Sequence, residues 1–323
     1  MSMFGNINGK FSLGIINRES RLRRDFKPYH WVFLVISIFG LFLNSGCYKF
    51  EGTQTVPSYL RIDTILLSTY YPDEGSNSLN ITDVWVYVND NVVGIYELPA
   101  MFPVLAEGVK TLDIRPGIKV NGISSTRAPY PFYEPIRYEE FNFYPDSVIY
   151  LKSPKTEYYP NLIFAWLEDF EDTGNSLDET SASDTVIERT EPENNPEAFL
   201  SQNSKYSGAI YLTEERPIYS AATYNSFPMP KQGSPVIMEM DYKTNNYFNT
   251  GLLIRETSGY IKVPLLILKH SATWNKIYIN LGPNLSLHPQ ATEFRVYFEA
   301  GLDTDRSSST IYLDNLKIIN RPN

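Results

Sequence analysis

One cysteine and three histidines in 323 residues leave this chain little reactive chemistry. A lone Cys47 cannot form an intrachain disulfide, so burial alone must hold the fold together. His270 and His288, the histidines beyond Cys47, show no HExxH spacing and no metal-ligand cluster. Each reads as an ordinary loop or surface residue. A G-x-S-x-G elbow and a glycine-rich phosphate loop are both missing from the sequence. Basic charge is also scarce. Taking the six basic and two acidic side chains that precede Cys47 from totals of 28 and 37 leaves 22 and 35, a formal charge of −13. Phosphate neutralisation needs clustered Lys and Arg, so nucleic acid is excluded as a partner, as is lying flat on anionic lipid. Carboxylates are plentiful, and a pair of them could hydrolyse a glycoside. No motif sets two across a cleft, so the chain reads as a non-enzyme, with glycoside hydrolysis the remote alternative.

What precedes Cys47 is informative. Six basic residues from Lys10 to Lys27 are followed by an apolar run, Trp31 to Leu43, and by Asn44-Ser45-Gly46-Cys47. A basic segment, a short apolar segment and small residues at a cut site make a secretory signal. Thirteen residues span only ~20 Å as a helix, short of a bilayer core. The run resembles a bacterial lipobox, with Leu43 one position further from the cysteine than usual and Asn44 in its place. The resemblance implies that 1–46 is removed and that Cys47 becomes the lipidated first residue of an outer-membrane lipoprotein. The alternative is an uncleaved anchor. In surface-exported lipoproteins of the Bacteroidota type an acidic or Lys-plus-acidic signal follows the cysteine, and Lys49 and Glu51 answer to it.

Beyond a polar tether, 47–57, the 24 Tyr and 18 Phe of the chain and its frequent Val and Ile favour strands. The expectation is an all-β chain of two β-sandwich domains. The first, 58–152, contains Val84-Trp85-Val86-Tyr87-Val88, a turn at Asn89-Asp90-Asn91, and a return strand, Val92 to Leu98. Pro99, Pro103 and Gly108 predict a loop before the next strand at Val109. From Val84 to Gly117 the pattern resembles the PEGA family of small extracytoplasmic sandwiches, which implies a scaffold without catalysis. Further on, Arg127-Ala128-Pro129-Tyr130-Pro131-Phe132-Tyr133 predicts an extended path. Arg127, Tyr130, Phe132 and Tyr133 form a candidate partner surface; the alternative is a rigid crossover whose rings pack over the sandwich.

A linker, 153–160, leads to the second domain, 161–322. It opens on Leu162 to Asp172 and closes on Thr310 to Ile318, with short strands and turn signals between. Within it, 172–197 is Ser, Thr, Asn, Asp and Glu with almost no apolar content, and predicts a mobile acidic loop. The order of the strands resembles jelly rolls of carbohydrate-binding and galactose-binding-like type. That resemblance implies an acidic first strand beside a Leu-Asp-Asn last strand. It also implies a structural calcium ion held by Asp169 or Glu171 with Asp314, and Trp274 or exposed tyrosines as sugar platforms. Two roles follow for a non-catalytic, lipid-anchored envelope protein. One is an accessory subunit that docks on other outer-membrane proteins, and the other is a cell-surface glycan binder.

Overall fold

The computed structural model describes residues 56–191, 199, 201, 204–231 and 233–322. Ten short strands build the N-terminal lobe: β1 (Ser58–Ile62), β2 (Leu66–Ser68), β3 (Asp83–Val88), β4 (Asn91–Glu97), β5 (Ala100–Val104), β6 (Gly108–Lys119), β7 (Arg127–Pro129), β8 (Ile136–Phe143), β9 (Val148–Leu151) and β10 (Lys155–Glu157), with one helical turn, α1 (Tyr71–Glu74). They pair as β5-β1-β9, as β10-β2, and as β4-β3-β6-β7 with β8 also on β6. Asn89 and Asp90 take φ of 47° and 61°, the left-handed pair a two-residue hairpin requires, so β3 turns straight into β4. Where the prolines predict a loop there is a strand. β5 is the outermost strand of its sheet, a place where Pro103 is tolerated without its N–H.

The C-terminal lobe follows with β11 (Ile163–Glu168), β12 (Leu177–Glu179), β13 (Ile187–Arg189), β14 (Gly208–Thr213), β15 (Ile218–Thr223), β16 (Val236–Thr244), β17 (Phe248–Glu256), β18 (Gly259–Leu268), β19 (Ser271–Asn280), α2 (Gly282–Leu287), β20 (Glu293–Gly301) and β21 (Ser308–Asn320). One sheet runs β13-β14-β21-β16-β19 with β11 also on β21, and the other runs β12-β15-β20-β17-β18. This is a jelly-roll sandwich, and the acidic first strand does lie antiparallel to the last, Glu168 opposite Leu316. Its core is Met238, Met240, Leu252, Ile254, Val296, Phe298, Leu313 and their neighbours.

Two boundaries drawn from the sequence fail. The stretch 153–160 is not a linker, because β10 pairs in parallel with β2 and Tyr158 is buried. Nor is 172–191, the described part of 172–197, a mobile loop. β12 pairs with β15 and β13 with β14, and Glu179 accepts the Ile187 N–H across the intervening turn. β12 and β13 are each three residues long, too short to leave a period in a polar sequence. Residues from Thr55 onward form one compact unit. The reason lies in β16, β19 and β21, which alternate with period two. Met238, Ile277 and Ile318 enter the jelly-roll core, while Ile237, Tyr278 and Ile319 join the core of the N-terminal lobe. The six-stranded sheet is therefore covered on both faces at this end.

Candidate functional surfaces

The aromatic segment assigned to a partner surface lies inside the junction. Tyr130, Phe132 and Tyr133 are buried. Tyr130 packs 4.3 Å from Tyr133 and 5.0 Å from Tyr278 between ring centroids. Arg127 is not available to an outside anion either, since its guanidinium meets Asp83 at 2.5 Å and Glu97 at 2.9 Å. The crossover alternative describes this segment, because the prolines hold an extended path whose rings the six-stranded sheet then covers.

Beneath these rings lies a set of buried charges absent from the sequence reading. Glu239 and Lys276 pair at 2.8 Å with side chains 0% and 1% exposed. Glu239 also accepts from Tyr130 at 2.5 Å and from Tyr158 at 2.9 Å. Ser78 donates to Asp241 at 2.5 Å and accepts from Lys276 at 3.0 Å. Lys317 donates to the Ser76 carbonyl at 3.2 Å. Burial alone would lower Lys276, but the carboxylates of Glu239 and Asp241 overcome it and hold the group above its ordinary value. Lys317 goes the other way. Burial and the Lys276 cation pull it down to about 8, and the carboxylates offset them only in part.

Asp169, Glu171 and Asp314, the residues predicted to hold calcium, all lie within electrostatic reach of the Tyr71 hydroxyl, and Asp169 also acts on Asp314. Among the described residues no group of three or more His, Cys, Asp or Glu side chains is placed to hold a metal ion. Each carboxylate is taken by local donors instead. Asp169 accepts from Tyr71 at 2.8 Å, and Glu171 from the N–H groups of Lys205 and Tyr206. Asp314 accepts from Ser204, Ser207 and the Asn315 N–H. It sits where β21 exchanges β14 for β11 as its neighbour. Burial, with Asp241 nearby, raises the Asp314 carboxyl well above its usual range. Native stability from this group is therefore full below the unfolded value of 3.8 and is lost as pH rises through the native one. Asp314→Asn is expected to raise the melting temperature at pH 7 by a few degrees, with no gain at pH 3, and calcium should leave both proteins unchanged. A wild-type melting temperature that climbs with calcium, a response lost in Asp314→Asn, would restore the cation site.

The histidines are occupied as well. His270 lies 2.8 Å from Asp303 and stacks on Tyr247, and His288 lies 2.8 Å from Glu256. Among the described residues, cavities of about 350, 450, 600 and 1010 Å³ open on the surface, and Glu107 is the one carboxylate in the walls of these. Cys47 lies outside the described residues. Trp274 packs against Phe199 and Tyr312 on the six-stranded sheet.

Among the described residues, two surfaces are candidates for a ligand. On the five-stranded sheet, Leu252, Ile254, Val296 and Phe298 point to the core, so alternation turns Asn249, Leu253, Arg255, Arg295, Tyr297 and Glu299 to the opposite face. Tyr297 lies flat against Gly251, where a Cβ would come within 2.5 Å of the ring. The Lys262 ammonium caps that ring, 4.6 Å from its centroid, and also pairs with Glu299. Tyr297 is only 3% exposed. Arg255 and Tyr260 both bond Glu293 at 2.9 Å beside it. The second surface is the 1010 Å³ groove of the N-terminal lobe, between β4 and β5, each outermost in its sheet. Val92 and Leu105, 67% and 74% exposed, stand at it.

No protein-family model and no curated protein matches the chain. Solved structures do. The CBM22-2 xylan-binding domain from Paenibacillus barcinonensis Xyn10C aligns at 16% identity and a TM-score of 0.34, over 48% of this chain and 99% of its own. The family 11 carbohydrate-binding module of cellulosomal cellulase Lic26A-Cel5E of Clostridium thermocellum aligns at 12% and 0.31, over 47% and 92%. TmCBM61 in complex with β-1,4-galactotriose aligns at 8% and 0.29, over 45% and 87%. Larger chains match in part only, as with 29% of the Clostridium thermocellum xylanase Xyn10B CBM22-1–GH10 modules and 19% of a bacteriophage CBA120 tailspike domain. At these values the likeness is one of architecture and assigns no ligand.

Proposed function

We propose that this chain is a non-catalytic, lipid-anchored binding protein of the cell envelope. Its C-terminal sandwich takes up a glycan on the open face of the five-stranded sheet. The observation that carries this reading is Tyr297, an aromatic ring laid against Gly251 with the partly exposed Lys262 ammonium 4.6 Å from its centroid. The C–H face of a sugar ring carries partial positive charge and is drawn to a π face as an ammonium is. Lys262 thus holds the place of the sugar, and Glu299, Asn249 and Arg295 around it offer acceptors and donors to hydroxyls. Cys47 supplies the anchor, on the strength of the basic and apolar segments before it.

A glycan array probed with the mature protein tests this reading. At least one saccharide should bind, and Tyr297→Ala should weaken it about tenfold, near 1.4 kcal/mol. Lys262→Ala should change that affinity while leaving the melting temperature alone. An array empty down to millimolar affinity, or Tyr297→Ala binding like wild type, removes the reading. The N-terminal groove favours a second one, docking of a partner protein as an accessory subunit. It is apolar, and an extended partner strand could pair with the outer edge of β4. Crosslinking in membranes followed by native purification separates the two readings. A stable protein partner supports docking, and a free monomer counts against it.

A further inference from the structure

The 600 Å³ cleft lies between the lobes. One wall is the β6–β7 turn, with Lys119, Asn121 and Ser124, and the other is the β18–β19 turn with Lys269, Asn275 and Tyr242. In a chain of net charge −9, no Asp or Glu lines it. Lys269 is exposed, and no described carboxylate pairs with it. Lys119 reaches Glu97 at 3.4 Å, but that glutamate is 55% exposed, so the pair is weak and easily exchanged. Asn121 accepts from the Asn280 N–H through its carbonyl oxygen, which leaves its NH₂ to donate. The Tyr242 hydroxyl accepts from Asn275 at 3.0 Å, so its own proton is free to donate. Lys276 contributes only its stem, since its ammonium belongs to Glu239 and Ser78. The walls are fixed to each other. Val120 bridges Tyr278, and the Asn121 N–H bonds the Tyr278 carbonyl at 2.8 Å. Little ordering is then needed when a ligand arrives.

We infer that this cleft binds a small oxyanion, a carboxylate or a phosphate, held by Lys269 and Lys119 with the Asn121 amide and the Tyr242 hydroxyl. Cations beside neutral donors, with no acceptor charge in the wall, favour such a group over a neutral sugar. The inference stands apart from the glycan face, which centres on Tyr297 and Lys262; the cleft takes only the Leu266–Leu268 end of β18 from that sheet.

Calorimetric titration with sodium glucuronate and with inorganic phosphate, using glucose as the neutral control, tests it. At least one anion should bind, and raising sodium chloride should weaken it. Lys269→Ala should lower the affinity about tenfold and Lys119→Ala/Lys269→Ala further, with unchanged melting temperature. Binding of glucuronate alone points to a sugar acid, and binding of phosphate alone to a phosphate ester. The assignment is overturned if neither anion binds at tens of millimolar, if glucose binds equally well, or if the double variant binds like wild type.

Discussion

Replacing Lys276 by methionine is expected to cost the protein about 3–5 kcal/mol, the usual penalty for removing one partner of a buried ion pair. Glu239 would be left with its negative charge in a fully buried site. Tyr130 and Tyr158 can donate hydrogen bonds to it but cannot neutralise it, and Lys317 alone is left to oppose it. The loss should reach both lobes, because this network joins rings of the N-terminal lobe to strands of the jelly roll. Trp85 reports on β3 and Trp166 on β11. Urea melts followed by tryptophan fluorescence, with Trp85→Phe used to read the C-terminal lobe and Trp166→Phe/Trp274→Phe the N-terminal one, should show both shifting together to lower urea. A change confined to one lobe, or under 1 kcal/mol, contradicts this account of the junction.

Lys317→Met should have the opposite sign, although the two lysines share one cluster. Burial and Lys276 place Lys317 at about 8 in the native protein against an ordinary value of 10.5. The fold therefore favours its neutral form. The stability linked to this group is full above 10.5, falls as pH drops through about 8, and is fully lost below. At pH 7 the charged ammonium carries a penalty of roughly 3 kcal/mol, from which the lost bond to Ser76, about 1 kcal/mol, must be subtracted. Methionine should therefore stabilise the protein by roughly 2 kcal/mol at pH 7, and the gain should shrink between pH 8 and 10.5. Chemical denaturation across that range checks both sign and window. Destabilisation at pH 7 would mean that Lys317 serves as a needed counter-ion.

These charges show why the fold was more legible than its surfaces. Alternation in Val236-Ile237-Met238-Glu239-Met240-Asp241 predicts a strand with one polar face, and β16 is that strand. Solvent and a second lobe carrying tyrosines and serines leave the same polar pattern, so burial of Glu239 could not be read. The same ambiguity sent Tyr130, Phe132 and Tyr133 to the outside. Prolines and aromatics predict an extended path, and β7 with its continuation follows one, but the period does not say what covers the rings. A usable signal was present: acids on β16 face lysines on β19 and β21, as Glu239 faces Lys317 in register. The hairpin at Asn89-Asp90 was legible because its turn chemistry is local. β12 and β13 were not, since three residues among serines and acids carry no period. Nor does Tyr297 announce a ligand face in Glu293-Phe294-Arg295-Val296-Tyr297-Phe298. Only the pairing with Gly251 on β17 sets its ring flat.

Hydrogen–deuterium exchange of the mature protein with the best saccharide from the array tests the central claim most directly. The account predicts new protection over 249–255, 260–267 and 293–299, the strands that present Tyr297 and Lys262, with none over 88–107. Protection confined to 88–107, the groove of the N-terminal lobe, or none in the C-terminal sandwich at saturating saccharide, would contradict it.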